Sequence, residues 1–249
     1  MVSRSFSVGV GLLACLVGVV PALGTHASAA TLGGLSSASL TSDDVTASAP
    51  APTVLSCDDF AFVAGTGSAL AGRPVQKPGA CGTGTWSTHL GTWTITSGRL
   101  SATTTNATAS VPTLAVDGTV GTVEMSAEAV LENLNGSSRE AGVAIDHSGS
   151  TRVYLSATVS NGSTVILRLV NGTSLTTLAS VSGVAPGAST TIRLSRVGSV
   201  VSVAVNGAPI ISHTLTSSRV KALRNGTRAG LVWRSGSTVR FVRLLVMGS

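Results

Sequence analysis

Glu124, Ser126 and Glu128, in the run Glu124-Met125-Ser126-Ala127-Glu128, are the residues whose types and spacing best suit chemistry. Positions i, i+2 and i+4 share one face of a strand, so two carboxylates would flank a hydroxyl there. Such a pair is the equipment of a glycoside hydrolase, one carboxylate acting as nucleophile and the other as acid and base. Regular strand spacing sets the outer Cα atoms about 13 Å apart, whereas retaining hydrolysis needs carboxyl groups roughly 5 Å apart. The alternation favours Glu124 and Glu128, with Glu132, as charges on a solvated sheet face. The chain is therefore read as no enzyme, with a hydrolase using Glu124 and Glu128 as an alternative.

Other chemistry is thinner. His89, His147 and His213 stand apart in sequence, and no Gly-x-Ser-x-Gly elbow is present. Asp146-His147, just before Ser148-Gly149-Ser150, reads as an exposed turn. The loop acids Asp58, Asp59, Asp117 and Asp146 do not cluster as calcium requires, so no metal and no cofactor is expected. For a sugar ligand the aromatic candidates are Trp86, beside a Gly-rich loop, and Tyr154. Trp93 alternates with Ile95, and core packing competes with exposure even for Trp86. The candidate ligand-binding set is Trp86, Glu124, Ser126, Glu128, His147 and Tyr154.

The elements that must position these residues are strands. Asn-Gly pairs at 135, 161, 171, 206 and 225 fall mostly between runs of Val, Leu, Ile and Thr. Both residues tolerate the positive φ of a type I′ turn, so the pairs predict hairpins. Strand patterns run over Thr92–Ile95, Arg99–Ala102, Val120–Leu131, Ala141–Asp146, Thr151–Val159 and Thr164–Val170. Between Thr191 and Ser212, Ile192 and Leu194, then Val201, Val203 and Val205, alternate with polar or small residues around a Gly198-Ser199 turn. Ser217–Leu223 is the one stretch read as helix, capped by Ser217 or Ser218.

Arg4, an apolar run from Phe6 to Val20, and Ala27-x-Ala29 predict a signal peptide over residues 1–29. The run continues past Cys15, which argues against lipidation there. Residues 30–56, rich in Ala, Ser, Thr and Pro, read as a flexible spacer that adds at most one short strand. A single β-sandwich is expected over residues 57–247, exported or at the cell surface, with no membrane-spanning segment after the signal. Export makes a Cys57–Cys81 disulfide the expected state of the two remaining cysteines. It would add about 3 kcal/mol through loop-closure entropy.

The chain carries 16 Lys and Arg against 10 Asp and Glu, with Lys77 and Lys221 its only lysines. The arginines are scattered without a run or an aromatic platform, so they read as solvent-facing and no nucleic-acid partner is expected. Attraction to an anionic envelope polymer is compatible with the balance. Asn-x-Ser/Thr matches at Asn106, Asn135, Asn161, Asn171 and Asn225 are explained, in all but the first, by their turn role.

Cys57-Asp58-Asp59-Phe60, then Trp86–Leu100 with Gly91-Thr92-Trp93 and Ser97-Gly98-Arg99-Leu100, then Val203–Gly207 and a closing Val239–Val246 strand together resemble concanavalin A-like and laminin-G-like domains. The resemblance implies an all-β, two-sheet antiparallel jelly-roll sandwich whose first and last strands lie together. The enzymatic relatives carry Glu-x-Asp-x-Glu, whose middle aspartate is Ser126 here. The Ala, Thr and Gly richness of the N-terminal part is similar to that of exported actinobacterial envelope proteins. The fold hosts many activities, and the chain as a whole is read as a non-catalytic module that binds a polysaccharide or cell-envelope polymer, with a structural or adhesive surface protein without a small ligand as an alternative. Oligomeric state is left open.

Overall fold

The computed structural model describes residues 52–61, 69–76, 84–103, 106–112, 124–134, 136, 138–149, 151–236 and 238–248. In chain order the elements are β1 (Thr53–Asp58), β2 (Ser87–Leu90), β3 (Trp93–Thr96), β4 (Arg99–Ala102), β5 (Ala107–Pro112), β6 (Met125–Glu132), β7 (Glu140–Ile145) and β8 (Val153–Ser160). There follow β9 (Thr164–Asn171), β10 (Ser174–Val181), β11 (Ser189–Val197), β12 (Val200–Val205), β13 (Ala208–Thr214), α1 (Ser217–Leu223), β14 (Arg228–Ser235) and β15 (Arg240–Gly248).

They form two antiparallel sheets. The eight-stranded sheet runs β13-β12-β11-β6-β15-β4-β3, with β1 also on β15; the seven-stranded sheet runs β10-β9-β8-β7-β14-β5-β2. The chain crosses between the sheets at β1 to β2, β2 to β3, β4 to β5, β5 to β6, β6 to β7, β10 to β11, β13 to β14 and β14 to β15. This is the expected two-sheet jelly roll, and the first and last strands do pair, Thr53 opposite Gly248 and Cys57 opposite Leu245. β1 begins at Thr53, inside the segment read as a spacer. Cys81, Asp117, Asn135, Phe62 and the whole signal segment lie outside the described residues, so the Cys57–Cys81 pairing stands as an expectation.

Period-two alternation explains the core. Met125, Ala127, Ala129 and Leu131 of β6 and Ile192 and Leu194 of β11 face Leu155, Ala157 and Val159 of β8 and Leu231 of β14, all buried. Each fully buried Leu, Ile or Val contributes about 1.5–3 kcal/mol. The hairpin read between Thr191 and Ser212 is present in the expected phase, with Ile192 opposite Val205 and Leu194 opposite Val203.

Its second turn, Asn206-Gly207, has φ of 51° and 81°, the left-handed pair that a type I′ loop demands. Asn225-Gly226 behaves differently. It follows α1, and a Cβ on Gly226 would sit 2.0 Å from the Asp146 carbonyl oxygen, so glycine serves close approach there. Helix α1 spans the expected residues, but its N-cap is Thr216, without a side-chain capping bond.

Candidate functional site

The face of the seven-stranded sheet turned away from the core is polar yet largely covered. On β8, Leu155, Ala157 and Val159 point inward, so Tyr154, Ser156 and Thr158 project outward, and all three are buried. Beside them lie Thr108 and Ser110 of β5, Arg228, Val232 and Arg234 of β14, and Glu140 and Ala144 of β7. Ala144, Tyr154, Val170 and Val232 make a small apolar cluster separate from the main core. This polar patch, the basin, has buried residues at its centre and half-buried ones such as Glu140 and Arg228 at its edge.

One end of the basin is a stack of three rings. His147 lies 4.2 Å from His89 and 4.9 Å from Tyr154 between ring centroids, nearly parallel to both. Arg228 donates from Nε to Ser110 Oγ at 2.9 Å and from Nη2 to Ser87 Oγ at 2.8 Å. Ser110 Oγ also lies 2.7 Å from His89 Nε2. Ser110 Oγ has two lone pairs, so while accepting from Arg228 it can either donate to His89 Nε2 or accept from it, according to the imidazole tautomer. A serine and a histidine thus meet at the distance of a nucleophile and base. Ser110 is wholly buried within β5, however, and no carboxylate among the described residues bonds His89. The contact is structural.

The other end is ionic. Glu140 accepts from Thr158 Oγ1 at 2.9 Å and from Arg168 Nη1, and Arg234 Nε lies 3.3 Å from the same Glu140 oxygen. One carboxylate is shared by two guanidinium groups.

Several buried groups on this face lack partners. Both ring nitrogens of His147, which is 0% exposed, make no hydrogen bond, nor do Ser156 Oγ and Arg234 Nη2. Buried polar groups are nearly always satisfied, so orphans concentrated in one place call for a partner such as an ordered water, an ion or a bound molecule. Burial pushes the His147 pKa down to about 3, with His89, Arg228 and Arg152 adding to the effect. Burial, then Arg228 and Arg152, lowers His89 as well. Both imidazoles are neutral at neutral pH.

Asp146-His147 is not the exposed turn that the sequence suggests. Asp146 has φ of 54° and is 1% exposed. Its carboxylate reaches the opposite sheet, where Arg196 of β11 donates from Nε at 2.6 Å and Nη2 at 2.9 Å. The expectation of solvent-facing arginines therefore fails at Arg196, which is buried. The bend is held from behind by His147 N–H donating to Arg228 C=O at 2.9 Å and by the close approach of Gly226.

The six sequence-selected residues do not converge. His147 and Tyr154 come together in the basin. Glu124, Ser126 and Glu128 belong to the outer face of the eight-stranded sheet, where Glu124 and Ser126 line a cleft of about 150 Å³ with Arg193, Ser195 and Met247. Glu128 is engaged by Arg243 at 3.1 Å. Trp86 is 1% exposed, packs on Phe60 and donates from Nε1 to Asp58 Oδ2 at 2.7 Å, so it offers no ring to a sugar. Burial raises the Asp58 pKa against this bond. Trp93 and Trp233 are buried too.

The residues that sequence reasoning missed are His89, Ser110, Ser156, Arg152, Arg228, Arg168, Arg234 and Glu140. The signal available was the small polar phase of β5 and β8, Thr108-x-Ser110 and Ser156-x-Thr158, opposite an apolar phase.

No protein-family model matches this sequence, and no curated protein does. Solved structures similar in fold include carbohydrate-binding module CBM66 from Bacillus subtilis, 13% identical over 64% of this chain and 91% of that one, with a TM-score of 0.46. Another is a Bacillus subtilis protein of unknown function with a galectin-like fold, 12% identical over 65% and 88%, at 0.45. A third is the GH43 BlXynB protein from Bacillus licheniformis, 14% identical over 62% of this chain but only 34% of that one, at 0.45. At these values the likeness is one of fold.

Proposed function

We propose that this chain is an exported, non-catalytic binding module that holds a glycan or envelope polymer in the basin of the seven-stranded sheet. The observation that carries the reading is His147, wholly buried with neither ring nitrogen bonded, in a stack with His89 and Tyr154. A neutral imidazole offers one donor and one acceptor, and Ser156 adds a hydroxyl. Sugar hydroxyls, which both donate and accept, complement that set. Among the described residues every Trp is buried, as are Phe60 and Phe241, so hydrogen bonding is the source of affinity this reading relies on.

The test is retention of the purified chain on insoluble polysaccharides and isolated cell walls, with released sugars assayed in the supernatant. Wild type should be retained without sugar release, and His147→Ala should weaken retention at least tenfold while Glu128→Gln leaves it unchanged. Sugar release abolished by Glu128→Gln would instead establish the hydrolase. Failure to bind any matrix would leave a structural or adhesive role.

A further inference from the structure

The charges around the ring stack are unbalanced. Arg228 is held by Ser87 and Ser110, both neutral, and no carboxylate among the described residues pairs with it. Arg152, whose backbone N–H donates to Ser148 C=O at 3.2 Å in the loop after His147, is close enough for its charge to act on both imidazoles. Glu140, at the far end of the basin, is already shared between Arg168 and Arg234. A guanidinium fixed by neutral acceptors keeps its full charge to attract an oxyanion. His147, buried with both ring nitrogens unbonded, stacks on His89, which shares Ser110 Oγ with Arg228.

We infer that the basin selects an acidic glycan, one whose sugar bears a carboxylate or phosphate that docks on Arg228 and Arg152 beside His147. The inference rests on the binding reading above and names its ligand class. A neutral polymer would leave both guanidiniums uncompensated in a half-buried setting. An acidic one neutralises them.

The experiment is affinity electrophoresis or matrix retention of the full chain on matched pairs: polygalacturonate against its methyl ester, and phosphomannan against mannan. Wild type should bind at least one acidic member about tenfold more tightly than its neutral counterpart, and the arm that responds identifies carboxylate or phosphate. Arg228→Gln and, independently, Arg152→Asn should abolish that preference. Asn tolerates the left-handed φ of 51° at position 152, so this variant preserves the backbone; an unchanged unfolding midpoint checks it. Equal binding of acidic and neutral members would overturn this inference and leave the binding reading intact, whereas no binding to any of the four would overturn both. A preference that survives both substitutions, or equal retention on duplex DNA, would assign the effect to overall charge and overturn the inference.

Discussion

Acidification should destabilise this fold through His147, and the magnitude follows from its burial. The ring is 0% exposed and its folded-state pKa lies at about 3, against 6.5 for an ordinary histidine. A depressed folded pKa means that the unfolded chain takes the proton first. Stability is therefore complete above about pH 6.5 and falls as pH drops toward the folded value. Each pH unit in that window costs about 1.4 kcal/mol, so lowering the pH to 5 removes about 2 kcal/mol. His89 shifts in the same direction and adds to the trend, while Asp58, raised by burial, opposes it. The variant that isolates His147 is His147→Phe, which keeps a flat ring between His89 and Tyr154 but cannot titrate. Urea unfolding of both proteins at about pH 7.5 and pH 5 supplies the comparison. The stability loss of wild type should exceed that of the variant by about 2 kcal/mol. If the two proteins lose equal stability, the histidine is not buried neutral as described, and the case for an orphaned imidazole falls with it.

Asp146→Ala strands the buried Arg196 guanidinium and should cost about 3–5 kcal/mol by chemical denaturation, with Asp146→Leu combined with Arg196→Met recovering most of it. Gly226→Ala places a methyl group against the Asp146 carbonyl and should destabilise by about 1–3 kcal/mol or more. A melting temperature within a degree of wild type would contradict that close approach.

What could be read in the sequence was whatever local periodicity controls. β11 and β12 carried a strict alternation bounded by turn residues, so their buried phase was available from Thr191–Val205, whereas the register shift between β12 and β13 was not. β5 was not, because Ala107-Thr-Ala-Ser-Val-Pro112 has few of the branched and aromatic residues that mark strands; it forms because β14 and β2 pair with it on either side. The same long-range pairing explains the site. His89 and His147 are isolated in sequence and come into contact because the bend after β7 bonds to Arg228 of β14 while His89 of β2 bonds to Ser110 of the adjoining β5. Trp86 shows a related limit: its flanking Thr85 and Ser87 suggest exposure, yet Asp58 on β1 takes its N–H inside the fold. Asp146 resembles a turn residue locally and is one, but its partner Arg196 sits on the other sheet, where no local pattern announces it.

The pairing of β1 with β15 has a mechanical consequence. Thr53 and Gly248 are opposite each other, and the Thr53 hydroxyl donates to the Gly248 carbonyl at 2.9 Å. Tension applied through these two positions would load the ladder at one end and part its rungs singly, as a zipper opens, instead of shearing them all together. The same adjacency means that a short linker joining the two positions would permit new termini at an exposed hairpin such as Asn206-Gly207. In such a permutant the weakest direction of pull moves to a different pair of strands, while the basin and its ring stack keep every covalent neighbour they have now.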